Sequence, residues 1–257
     1  MSMQQKFDFK LFNKFLSCLI LFLFIHTTVS QAAPPSSVVL AVEDSWPPYA
    51  GPNGQGIATD IIEKALAEVG IRLFTKVLPY ARVLDEVERG LVVGGYNVTR
   101  QDSTNQLFLF GQQAILTASA SLYFSANNVQ AKQYNTISDI PKGTRMGLII
   151  DYEYGDLFEQ HRDKFEEVRV SSQEQIINML RLGRIDSAIL FDAVASYTLK
   201  SMKLSEDTIL KGPINHTSNI FVAFSRSHKQ AKYFSDKLDQ GLVKIKKSGQ
   251  YSELLRP

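Results

Sequence analysis

Leu180-Arg-Leu-Gly-Arg-Ile-Asp-Ser-Ala-Ile-Leu-Phe-Asp192 decides the fold. A helical pattern stops at Gly183, the residue best suited to the left-handed position that closes a helix. Ile185, Ala188, Ile189, Leu190 and Phe191 then form the short apolar run of a strand covered on both faces. Asp192 falls at that strand's carboxyl end, the edge at which open α/β sheets bind their ligands. The phrase has an earlier counterpart. Val83, Leu84 and Val87 lead through Glu88 and Arg89 to Gly90, and Leu91-Val92-Val93 runs into Gly94-Gly95, the same order without the acid. Two similar lobes are the first expectation.

Working outward, Val38 to Val42 reads as a strand that leaves through Trp46-Pro47-Pro48-Tyr49, an extended loop because proline fixes φ and restricts its predecessor. Ile57, Ile61, Ile62, Ala65, Leu66 and Val69 share one helical face, stopped by Gly70. Ile71–Val77 is a strand, Tyr80–Arg89 a helix entered at Pro79, and Leu91–Asn97 a strand. Leu107–Phe110 and Ala118–Ser125 follow as strands, the second long enough to cross between lobes. The alternation then restarts: strand Arg145–Ile150, helix Tyr152–Gln160, strand Glu167–Val170, helix Gln173–Leu182, strand Ile185–Phe191 and helix Ala193–Met202. Asn219–Phe224 recrosses, and Ala231, Phe234, Leu238, Leu242 and Ile245 stripe a terminal helix. Strand alternating with helix predicts mostly parallel sheets flanked by helices, with lobe one built from residues 33–122 and 218–257, lobe two from residues 123–217, and two crossing strands as the hinge. A cleft between lobes is the expected ligand site.

Lys6, Lys10 and Lys14 precede an uncharged apolar run from Phe15 to Ile25, followed by small and polar residues. That is the pattern of a secretory signal peptide of residues 1–32, too short for a membrane span. Removing it takes three lysines and one aspartate, turning 28 basic and 26 acidic residues into 25 of each. A neutral chain has no electrostatic reason to bind nucleic acid or an anionic membrane. Cys18 leaves with the leader, so about 225 residues must hold together by packing alone. A monomer in the periplasm is expected.

The Trp46-Pro47-Pro48-Tyr49 entry, Gly56 before the first helix, Pro79-Tyr80-Ala81-Arg82, Leu182-Gly183-Arg184-Ile185-Asp186-Ser187-Ala188 and the closing Gly249-Gln250-Tyr251 resemble, in this order, the periplasmic solute-binding proteins of family 3. These are amino-acid-binding components of ABC importers. The resemblance implies a Venus-flytrap clamp, with Trp46 or Tyr49 and Tyr80 sandwiching a small-molecule ligand and Asp192 holding its amino group. Tyr152 and Glu153 match the second-lobe turn that meets the ligand's carboxylate, and Gly95, Asn97 and Thr99 line the first-lobe strand end. The family's Thr-x-x-Arg is here Thr99-Arg100-Gln101-Asp102, so a carboxylate falls to Arg100 or Arg82, or the ligand is not an α-amino acid.

No catalytic or metal constellation is found: there is no Gly-x-Ser-x-Gly elbow, the histidines lack ligand spacing, and Gly51, Gly54 and Gly56 are not followed by the Lys-Ser/Thr of a phosphate loop. No cofactor is implied. The expected function is capture of an amino acid or related amine for a membrane ABC permease. Reporting to a membrane sensor is an alternative, as is a dehydratase-like enzyme using Asp102 and Glu153 as proton-exchanging carboxylates.

Overall fold

The computed structural model describes residues 34–255, so the expected signal peptide lies outside the described residues. The chain divides after Pro35 into two units, and the fold below belongs to the second. β1 (Ser37–Glu43) lies parallel to β2 (Arg72–Leu78) through the full register Ser37↔Arg72 to Glu43↔Leu78. On its other side β3 (Gly94–Thr99) joins through Leu40↔Gly94 and Ala41↔Gly95. α1 (Ile57–Ala67) and α2 (Tyr80–Glu88) link these strands and bury Ile61, Ile62, Ala65, Val83 and Val87. β3 begins later than Leu91 because the end of α2 uses the backbone of Gly90 and Leu91: Leu91 N–H donates to Glu86 O at 2.9 Å, closing the helix around Gly90 in its left-handed conformation. Gly95 lets α2 lie directly on β3, since a Cβ there would stand 2.4 Å from Val83 Cγ1.

After α3 (Asp102–Leu107), β4 (Phe108–Phe110) and β5 (Leu116–Ser125), a second parallel set follows. β6 (Thr144–Ile149) pairs with β7 (Phe165–Val170) along its whole length and with β8 (Ser187–Phe191) at Met146 and Gly147. α4 (Gly155–His161), α5 (Gln173–Arg181) and α6 (Asp192–Ser201) flank it, α5 starting at a Ser172–Gln175 capping box. The helix expected from Tyr152 starts only at Gly155. Tyr152 to Tyr154 instead form a loop, entered through left-handed Asp151 and held by the Ile149 N–H on the Tyr154 hydroxyl at 2.5 Å. The strand expected from Ile185 begins at Ser187, because the Arg184 N–H closes α5 on Met179 O at 2.8 Å.

β9 (Ile209–Ser225) joins the sets. Its last residues pair antiparallel with β3 and β4, and its length pairs with β5, which also pairs with β8, giving the sheet order β2-β1-β3-β9-β5-β8-β6-β7. The sequence pattern covers only its last third, Asn219–Phe224. Gly212-Pro213 reads as a break, and the strand passes it by shifting register against β5. α7 (Ala231–Ser248) buries Phe234, Leu238, Leu242 and Ile245 and crosses α1 where a Cβ on Gly241 would lie 1.9 Å from Ala65 O. α8 (Gln250–Leu254) ends the described chain, with the Tyr251 hydroxyl donating to Ile115 O. Among the described residues no helix is long and apolar enough to cross a membrane.

Candidate functional site

The carboxyl ends of β1, β3, β6 and β8 converge on a cavity of about 10 Å³, room for a single water at most. From the first parallel set come Glu43 at the end of β1, Trp46 in the loop after it, Tyr80 in the first turn of α2, and Asn97 and Thr99 on β3. From the second set come Tyr152 and Glu153 after β6, and Phe191 at the end of β8. The two sets meet through a pair of crossed contacts. The Tyr80 hydroxyl donates to both Glu153 oxygens, at 2.8 and 3.0 Å, while the Tyr152 hydroxyl donates to Glu43. The two tyrosine rings stand edge to face, 4.9 Å between centroids.

Both carboxyls are held towards their neutral forms. Burial pushes Glu43 up to about 8, the charges of Glu153 and Asp44 adding to the effect and the Tyr152 hydrogen bond opposing it. Burial likewise pushes Glu153 up to about 7, against the Tyr80 hydrogen bond. The Tyr80 and Tyr152 hydroxyls are driven well above the ordinary tyrosine range, by burial first and then by the neighbouring glutamates. Among the described residues no Lys, Arg or His lines this cavity.

Trp46 is 1% exposed, packed edge-on against Phe191 at 5.1 Å and tilted on Tyr49 at 4.4 Å. Among the described residues its indole N–H has no hydrogen-bond partner, and the amide of the buried Asn97 makes no hydrogen bond of full geometry, although it lies close enough to Glu43 to favour that carboxylate. Asn97 sits in the left-handed region at the point where β3 slips register against β9, so the irregularity turns its amide away from the ladder. Unpartnered buried polar atoms cost free energy, and these line the cavity, where a ligand or water can supply the partner.

Other residues singled out in the sequence lie elsewhere. Tyr49 supports Trp46 from behind, and Gly95 is under α2. Arg82 is exposed on α2. Arg100 spreads over the Phe110 and Phe221 rings, 5.7 Å from each, and donates to Asn105 Oδ1 at 3.0 Å and Gly111 O at 3.3 Å. Asp192 accepts from the Tyr123 hydroxyl at 3.0 Å and pairs with Lys211 at 2.9 Å, lining a separate pocket of about 230 Å³. The side chain just before it, Phe191, is the one that meets the cavity. Asp102 is exposed in the first turn of α3 and does not line the cavity. Sequence reasoning passed over Glu43, although the rule that picked out Asp192, an acid at the carboxyl end of an apolar strand, applies to it equally.

No protein-family model matches the chain, and no curated protein matches it by sequence. Solved structures do match. An ancestral arginine-binding protein bound to arginine superposes with a TM-score of 0.71 at 16% identity, over 85% of this chain and 96% of that one. The fold is that of the two-lobed periplasmic binding proteins. AbpA from Streptococcus pneumoniae, an amino acid ABC transporter substrate-binding protein bound to L-arginine, gives a TM-score of 0.70 at 17% identity, over 86% and 93% of the two chains. A histidine kinase sensor domain with similarity to periplasmic binding proteins gives 0.70 at 15%, over 86% and 94%.

Proposed function

We propose that this chain is a periplasmic solute-binding protein, exported by a cleaved signal peptide, whose lobes close over a small polar solute bearing an amine and deliver it to an ABC importer. Lobe one comprises residues 33–122 and 218–257, lobe two residues 123–217, with β5 and β9 as the hinge. The observation that carries the reading is the group of unpartnered buried polar atoms, Trp46 Nε1 and the Asn97 amide, beside two carboxyls at the meeting point of the lobes. Trp46 and Tyr80 supply aromatic faces, Asn97 and Thr99 supply polar atoms, and Glu43 and Glu153 supply acceptors for an ammonium or guanidinium. Arginine-bound relatives of the fold support a cationic ligand. The missing arginine fork argues against a carboxylate on that ligand, because no other cation lines the cavity.

A thermal-shift screen of the chain from Ala33 against amino acids, amines and carboxylates tests the reading. A ligand of the native state at a hundredfold excess over its dissociation constant adds about 2.7 kcal/mol, a rise in Tm of several degrees. Amines are expected to give it and simple carboxylates are not. A response confined to carboxylates overturns the reading.

A further inference from the structure

Beside the closed cavity lies a groove of about 660 Å³, and Tyr152 and Glu153 belong to the lining of both. Glu153 is thus common to a deep end and an outer groove. That groove is lined by Asp85 and Glu88 from α2 and by Asp151 and Glu159. The two arginines of the groove are already engaged: Arg162 lies 2.5 Å from both Glu159 and Glu167, and Arg169 lies 2.7 Å from Glu167. Asp85 has a single loose partner, Arg89 at 3.4 Å, on its solvent side, and among the described residues Glu88 and Asp151 have no cationic partner.

The deep end holds the independent evidence for a ligand. Trp46 is 1% and Asn97 5% exposed, their polar atoms are unpartnered, and both line the cavity beside Glu43. Asn97 Oδ1 and the two carboxyls accept from a cationic head, and the faces of Trp46 and Tyr80 attract it further. Beyond Glu153 the only unmatched charges along the route are negative. We infer that the cleft and groove together bind a linear aliphatic di- or polyamine, one ammonium at Glu43, Glu153 and Asn97 and a second between Glu88 and Asp151. An α-amino acid brings a carboxylate that would face those acids without a counter-charge. This inference rests on the solute-capture reading above and specifies the ligand for it.

The test is calorimetric titration of the purified protein with n-butylamine, 1,4-diaminobutane, spermidine, L-arginine and L-glutamine, repeated with a Glu88→Gln/Asp151→Asn variant. Spermidine or 1,4-diaminobutane is expected to bind at least about tenfold more tightly than n-butylamine, and the double variant to bring that ratio towards one. A butylamine affinity equal to that of the diamines, or a ratio untouched by the variant, overturns the inference. Tight binding of arginine or glutamine with no binding of the amines overturns it while leaving solute capture standing. Failure of all five probes, with the protein shown folded by circular dichroism, removes both.

Discussion

Closure of the cleft is expected to be coupled to proton uptake, and the chain carries its own reporter. Trp46 is the only tryptophan in the sequence, and it is buried against Phe191, a residue that arrives with the other parallel set. Opening the cleft returns Glu43 and Glu153 to water and to ordinary glutamate behaviour near 4.5. The closed form binds protons more tightly than the open form, so closure is fully favoured below about pH 4.5 and weakens as pH rises through 7 and 8, beyond which the penalty is constant. Holding Glu153 at about 7 rather than 4.5 corresponds to about 3 kcal/mol, and Glu43 at about 8 to about 5 kcal/mol, at 1.36 kcal/mol per pH unit. The two carboxyls repel each other, so their effects overlap, and the pair shifts the closed-to-open balance by on the order of 5 kcal/mol between pH 4.5 and 9. The measurement is Trp46 emission across that range, with far-ultraviolet circular dichroism to confirm an intact fold. A red shift is expected above about pH 6 in the wild type and none in Glu43→Gln/Glu153→Gln, which keeps the neutral shape at every pH. Flat wild-type emission from pH 5 to 9, or a double variant that follows the wild type, refutes the reasoning.

Removing the Tyr152 hydroxyl in Tyr152→Phe leaves buried Glu43 without its donor and is expected to cost about 1–3 kcal/mol of closure, seen as a red-shifted Trp46 already at pH 6. Asn97→Gly keeps the left-handed backbone while deleting an unpartnered amide, so Tm is expected to stay within about 2 °C of wild type while the ligand-induced rise is lost; a retained rise excludes Asn97 from the site. Gly241→Ala drives a methyl into Ala65 O and is expected to lower stability by about 2 kcal/mol or more, a fall in Tm of roughly 4–8 °C on thermal unfolding.

The alternation of elements was legible because each period ended on a residue with a physical reason to stop it. Gly70, Gly90, Gly183 and Gly249 all take positive φ at helix ends, and the apolar stripes of α1 and α7 are the faces by which those helices meet. What failed was the placing of strand ends. Helix closures at Gly90 and Gly183 consume the next one or two backbone groups, so the strands start later than their apolar runs. The first part of β9 is polar, crosses Gly212-Pro213 and is held by pairing with β5, a long-range effect that no window of sequence contains. Around the cavity, Trp46, Tyr80, Asn97, Thr99, Tyr152 and Glu153 stood at strand and helix ends that the alternation located. Asp192 stood there too, yet one residue's difference in direction gives the cavity to Phe191, and the position of an acid along a strand says nothing of which way it points.

The path of β9 also sets the order in which the molecule can be completed. β6, β7, β8 and β5 pair among themselves using residues no later than Phe191. The first-formed stretch of chain, β1 to β3, has no partner for the open edge of β3 until Ile220 to Phe224 emerge, and α1 has no cover until α7 follows. β5 likewise keeps one edge unpaired until β9 is made, so both halves of the sheet are completed by the same late segment of the chain.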